Sequence, residues 1–183
     1  MLAAGAGKRF GGPKQLAELD GRPLLEHALA AMSAVPAIER IVVVLGAYAE
    51  EILARVDFLD AEPVVCDRWS EGQSASLRCG LEALGDVEAA VVTLADQPRI
   101  TPQVIALALD HWNGLRPVRS TYAGHPGHPV VLSRSVIERS RELTGDVGAR
   151  ELLEQAGARN VEAGHLCTAD DVDTPADLQA LGA

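Results

Sequence analysis

Apolar positions along this chain follow two spacings that alternate from the start to about residue 112. Ile41-Val42-Val43-Val44-Leu45 and Ala89 to Leu94 are short, unbroken apolar runs, the pattern of strands covered on both faces. Leu24, Leu25, Ala28, Leu29 and Met32 instead recur at helical spacing. They predict a helix from Pro23 to Val35, with Pro23 at its first position. Further helices are predicted over Tyr48–Val56, over Ser74–Leu84 with Ser74 as its cap, and from a Thr101 cap through Pro102 to about Trp112. Met1–Ala4 and Pro63–Cys66 complete the strands of this first stretch.

After Asn113-Gly114 the pattern changes. Val118–Tyr122 and Pro129–Leu132 are β-like around a turn over residues 123–128, helices follow at Ser133–Leu143 and Ala149–Ala156, and Thr174-Pro175 opens a last helix to about Leu181. Strand–helix alternation predicts an α/β layered fold with a mostly parallel sheet. Ligands bind such sheets beyond the carboxyl ends of the strands. We expect one domain over residues 1–183, with a first half of about 1–113 and a second half of about 114–183. Met1–Ala4 is short for a central strand, so either residues precede Met1 in the natural protein or the strand is truncated.

The first strand leads into Gly5-Ala6-Gly7-Lys8-Arg9-Phe10-Gly11-Gly12-Pro13-Lys14. Glycines allow positive φ and close approach of backbone N–H groups to a ligand. Lys8, Arg9 and Lys14 add positive charge, a combination suited to a nucleoside triphosphate. The spacing excludes a P-loop, because Arg9 follows Gly7-Lys8. It also excludes the dinucleotide fingerprint, because Phe10 stands at the third glycine position.

A formal net charge of -10 excludes nucleic acid as the expected partner, though not a single nucleotide with a metal ion. Cys66, Cys79 and Cys167 form no metal or disulfide framework and are expected as free thiols in a reducing cytosol. No run of about 18 apolar residues suggests a membrane span, and no signal peptide is expected. Asp96, closing the strand at Leu94, can hold Mg²⁺ through oxygen ligands or serve as a turn-former before Pro98. Gly72-Gln73-Ser74-Ala75-Ser76 lacks the second glycine of a nucleophile elbow. His125 and His128 have no nearby partners for a zinc site.

The L-A-A-G…R-x-G-x-P-K pattern resembles the signature loop of nucleotidyltransferases, in particular the molybdenum cofactor cytidylyltransferases. Residues 69–77, 94–98, 127–130, 145–150 and 171–175 extend the resemblance in the family's order. The resemblance implies a three-layer Rossmann-like nucleotidyltransferase fold with a small β excursion on the substrate side. It implies Mg²⁺ on Asp96 and Asp173, and Arg9 and Lys14 neutralising the reacting phosphates. Ala3, Ala4, Gly5, Ala6, Gly7 and Lys8 would contact the nucleotide, with Gly72, Gln73 and Ser74 around base and ribose. His128, Asp146 and Gly148 would face the second substrate, and Arg150 is similar. Ala4 points to CTP over GTP, and the implied acceptor is the phosphate of molybdenum-loaded molybdopterin. The implied setting is the cytoplasm, with a molybdoenzyme receiving the product. Two alternatives stay open: a cytidylyltransferase for another phosphorylated acceptor such as methylerythritol phosphate, and a non-catalytic delivery protein or an oxidoreductase on the same scaffold.

Overall fold

A computed structural model of the chain describes residues 1–141 and 150–182. Three strands form its first sheet: β1 (Leu2–Ala3), β4 (Val42–Leu45) and β5 (Glu62–Val65), in the order β1-β4-β5 and all parallel. Between β1 and β4 lie a two-residue hairpin, β2 (Glu18–Leu19) and β3 (Arg22–Pro23), and helix α1 (Leu24–Ser33). Helix α2 (Ala49–Arg55) follows β4. Helix α3 (Gln73–Leu84) joins β5 to β6 (Ala89–Val92). Helix α4 (Pro102–Asp110) then leads to β7 (Val118–Tyr122) and β8 (His125–Ser133). Helices α5 (Arg134–Ser140) and α6 (Arg150–Gln155), β9 (Arg159–Glu162) and α7 (Pro175–Leu181) complete the order.

The second sheet runs β6-β8-β7-β9, with β8 antiparallel to both neighbours and β9 parallel to β7. Leu2 joins the two sheets through a parallel bridge to Leu94, its N–H donating to the Thr93 carbonyl at 2.9 Å. The carboxyl ends of β1 and β6 therefore meet at one rim.

Alternation along β4 explains why its apolar run is unbroken. Val43 and Leu45 pack into a core with Leu25, Leu29, Ile52 and Ile105 from α1, α2 and α4. Val42 and Val44 face the other way, toward Cys66, Cys79 and Leu84. On that second face Leu77, Leu81, Val136, Ile137, Leu152 and Leu153 from α3, α5 and α6 cover β6 and β8. Both faces of the sheet are thus capped by helices, giving the three layers expected.

Several boundaries differ from the predictions. Pro23 precedes α1 with ψ 142 because it pairs with Glu18 in the small hairpin, so it is not the first helical residue. Gly72, at φ 114, stands where a Ser74 cap was predicted, because a 3-10 turn over Trp69–Glu71 runs straight into α3. Thr101 holds the cap position of α4, but its hydroxyl makes no capping bond. The turn predicted over 123–128 contracts to Ala123 and Gly124, at φ 49 and 79. Two successive positive-φ residues match the strand twist and close a hairpin in two residues, so His125 and Pro126 join β8. The predicted helix ends at Leu143 and Ala149 lie outside the described residues.

Candidate active site

The glycine loop folds back on itself. Gly11 and Gly12 donate their N–H groups to the Gly7 carbonyl at 2.9 and 3.4 Å, and the Lys14 N–H donates to Gly12 at 2.8 Å. Gly7 sits at φ +58, where a Cβ would stand 2.1 Å from the Gly12 oxygen, so only glycine fits. A single 3-10 turn over Lys14–Leu16 then sends adjacent side chains in opposite directions. Gln15, 3% exposed, donates its amide to the carbonyls of Ala3 at 2.6 Å and Gly5 at 2.9 Å, tying down the loop's first turn. Lys14 points across the rim to the carboxylates.

Lys14 Nζ lies 2.5 Å from Asp96 and 3.1 Å from Asp173, so those two carboxylate oxygens are no farther apart than these contacts laid end to end. Arg9 reaches the other Asp173 oxygen at 2.7 Å. Residues separated by 77 positions meet because the 169–173 segment runs beside the end of β6. The Val172 N–H donates to the Asp96 carbonyl at 2.9 Å, and Gln97 donates to Asp171 at 2.8 Å. A capping box between Thr174 and Asp177 fixes the turn just after Asp173.

Burial alone would lower the Lys14 ammonium, but Asp96 and then Asp173 outweigh it and hold the lysine above its ordinary value. Asp171 is raised by lost hydration and by the Asp96 and Asp173 charges. Burial pushes His128 down to about 4, with Asp96 acting in the opposite direction.

Two cavities open near this cluster; Lys14 and Asp96 line the smaller, and Arg9 and Asp173 line neither. The smaller, about 370 Å³, is lined by Ala3, Ala4, Gly5, Ala6, Gly7 and Lys8 on one wall and by Trp69, Ser70, Gly72, Gln73 and Ser76 on the other, with Lys14, Gln15 and Asp96 between. The larger, about 1030 Å³, shares Leu2, Gln73 and Leu94 with it. It has an apolar floor of Leu77, Val92, Val130, Leu132 and Leu153, and a rim carrying Arg119, His125, His128, Arg150 and Asp171.

The structure thus places Ala3–Lys8, Lys14, Gly72, Gln73 and Asp96 at one cleft and His128 at the adjoining one. Ser74 is fully buried inside α3 and is not among the residues lining the cleft, where Ser70 and Ser76 stand. Asp146 and Gly148 lie outside the described residues. Sequence reasoning missed Gln15 and Gly46. A Cβ on Gly46 would come within 2.5 Å of Trp69 and 2.7 Å of the Ala4 carbonyl, so this glycine lets the Trp69 wall approach the loop. An apolar strand ending in glycine was the only available signal.

The donor chemistry suits a hard divalent cation. Asp96 Oδ1 is buried without a hydrogen-bond partner, and the other oxygens of the pair already hold a cationic group. Among the described residues no three His, Cys, Asp or Glu side chains are grouped to hold a metal. Two carboxylates therefore need oxygens from a bound phosphate to complete such a site. Among the described residues no helix is long and apolar enough to cross a membrane.

A family model described as the MobA-like NTP transferase domain matches residues 1–161. Nicotine blue oxidoreductase from Paenarthrobacter nicotinovorans is 33% identical over 99% of this chain and 94% of its own length. A probable molybdenum cofactor guanylyltransferase from Pyrococcus horikoshii is 26% identical over 80% of this chain and 72% of its own. The crystal structure of Rv0371C from Mycobacterium tuberculosis in complex with manganese superposes with a TM-score of 0.84 at 27% identity, covering 98% of this chain and 94% of that one.

Proposed function

The chain belongs to the MobA-like NTP transferase family, and from that premise we propose that it transfers CMP from CTP to the phosphate of molybdenum-loaded molybdopterin, releasing pyrophosphate. The observation that supports this reading is the convergence of Lys14, Arg9, Asp96 and Asp173, with Lys14 and Asp96 lining the smaller cavity, which adjoins the larger through Leu2, Gln73 and Leu94. A reacting phosphate at that junction would have its nucleotide in the smaller cleft and its acceptor in the larger. The larger cavity, with its apolar floor, favours a bulky heterocyclic acceptor over a small polyol phosphate such as methylerythritol phosphate.

Positioning and charge neutralisation carry most of such a reaction. Loop N–H groups from Ala6 to Lys8 cradle the β- and γ-phosphates. Lys14 and Arg9 leave the carboxylates and neutralise charge at the α-phosphate and on the departing pyrophosphate. Asp96 and Asp173 would hold Mg²⁺, which supplies charge compensation across the phosphate oxygens when bound. Ala3, Ala4 and Gly5 approach the base from one side, and Gly72 and Gln73 from the other. His128 contacts the acceptor, and an ionised phosphate nucleophile needs no protein base. Residues 1–113 and 114–183 then act as the nucleotide and acceptor halves of one domain. A cytoplasmic setting and delivery of the product to a molybdoenzyme complete the reading.

The test is pyrophosphate release with each of the four NTPs and Mg²⁺, with and without molybdenum-loaded molybdopterin. Release should require CTP and the acceptor together, and should vanish in a folded Asp96→Ala variant. A preference for GTP would overturn the assignment of Ala4, and full activity of Asp96→Ala would overturn the site. The 33% identity to nicotine blue oxidoreductase over nearly the full length of both chains favours an oxidoreductase as the second reading, which takes over if no NTP supports pyrophosphate release.

A further inference from the structure

Two of the three cysteines come together behind the nucleotide cleft. Cys66 follows β5 and is buried, with Sγ 3.7 Å from the Ala75 carbonyl oxygen of α3. That carbonyl lies one turn before Cys79. Side chains four apart share a helix face and lean toward its amino end, so the Cys79 thiol is directed over the turn that Cys66 contacts. Cys79 packs into the same cluster as Cys66 and is only partly buried, and neither is in a disulfide. Cys66 also acts on the Cys79 thiol. Burial first, then Cys66, then Glu82 push Cys79 up to about 11, with Arg68 acting the other way.

The chain between the two cysteines is the outer wall of the cleft. It carries Trp69, Ser70, Gly72, Gln73 and Ser76. Trp69 and Ser70 follow Cys66 along the chain, whereas Gln73 and Ser76 ride on the helix that holds Cys79. A covalent link between the cysteines would thus tie the two ends of this wall together.

We propose that Cys66 and Cys79 are a peroxide-oxidisable thiol pair whose disulfide distorts the nucleotide wall and weakens nucleotide binding. The proposal rests on the smaller cleft being the nucleotide site. In the first step the Cys79 thiolate attacks one oxygen of hydrogen peroxide. The O–O bond breaks, and the departing hydroxide takes up a proton to leave as water, giving a sulfenic acid. Cys66 sulfur then attacks the oxidised sulfur, and its proton leaves with the displaced hydroxide as a second water. Two thiols are oxidised to one disulfide while one peroxide is reduced to two waters. A disulfide fixes its sulfurs at about 2.05 Å and confines the two Cα atoms to a narrow range of separations, so the link holds the residue 66 segment and α3 in one relative position. High thiol pKa makes the reaction slow at neutral pH, because only the thiolate is nucleophilic.

The experiment treats the full chain with hydrogen peroxide at pH 8. It then measures CTP affinity by calorimetry before oxidation, after it, and after re-reduction with dithiothreitol. Non-reducing peptide mapping should show a species joining the Cys66 and Cys79 peptides with the loss of two hydrogens. CTP affinity should fall several-fold and recover on reduction, and a Cys79→Ser variant should keep its affinity through peroxide. Reduced protein that binds CTP but forms no such link, or whose affinity is unchanged once linked, overturns the proposal. Reduced protein that binds none of the four nucleotides overturns the nucleotide reading itself, and the disulfide then stands or falls on the peptide map.

Discussion

Replacing Lys14 by methionine keeps the apolar stem and removes the charge between two carboxylates. The ammonium lies 2.5 Å from Asp96 and 3.1 Å from Asp173, on a side chain 13% exposed. Without it, the carboxylates repel each other by roughly 3 kcal/mol at about 5.5 Å and an effective dielectric of about 20. Arg9 remains on Asp173, but its side chain is 74% exposed, so solvent screens most of what it could return. Breaking a buried pair from one side costs about 3–5 kcal/mol. The carboxylate side chains are 20% and 28% exposed, and discounting for that partial solvation leaves an expected loss of about 2–4 kcal/mol. For a chain of this size the corresponding fall in Tm is roughly 4–16 °C. Thermal and urea unfolding of Lys14→Met against wild type, in EDTA at neutral pH, measures it. Added Mg²⁺ or Mn²⁺ should restore stability more in the variant than in wild type, because a cation then takes the place of the ammonium. A loss below about 0.5 kcal/mol, the range of an ordinary surface substitution, would show that Lys14 does not compensate these carboxylates.

Gly7→Ala forces a Cβ against the Gly12 carbonyl at positive φ and should open the loop. CTP affinity by calorimetry should fall more than about tenfold, or 1.4 kcal/mol, while Tm changes little, and retained affinity would mean that the loop does not wrap the triphosphate. His128 is held at about 4 in the folded chain against 6.5 for an unperturbed ring. Between those values the unfolded chain binds the extra proton, so stability falls as pH drops through that window, by roughly 3 kcal/mol at most. His128→Asn should flatten the urea-unfolding stability difference between pH 7 and pH 5, and identical slopes in both proteins would refute a desolvated neutral ring at the cavity wall.

The layers were legible in sequence because each core face follows a short period. The run Val42–Leu45 already implied cover on both sides, and the structure sends its alternate residues into two different cores. The glycine loop and its cations stood out for a similar local reason, since positive φ and fixed charge are properties of single residues. Strand β9 was not legible. Val161 is its one apolar residue in Arg159–Glu162, so no period exists to read, and the strand is defined by pairing with β7. Ser74 misled because a serine before an apolar run is a good local cap, whereas packing of α3 decides which residue turns inward.

Which residues could carry charge to a phosphate, and which segments had to be buried, could be read along the chain. Composition, glycine placement and hydrophobic period act over a few neighbouring residues, and a single chain displays them. Tertiary structure alone decided what those charges do in the resting molecule. Lys14 does not stand free in the loop: it bridges Asp96 and Asp173, because the Val172–Asp96 backbone bond and the Thr174–Asp177 box bring the distant segment to the rim. Contacts over such separations have no local signature, since closing a long loop costs entropy that only the assembled core offsets.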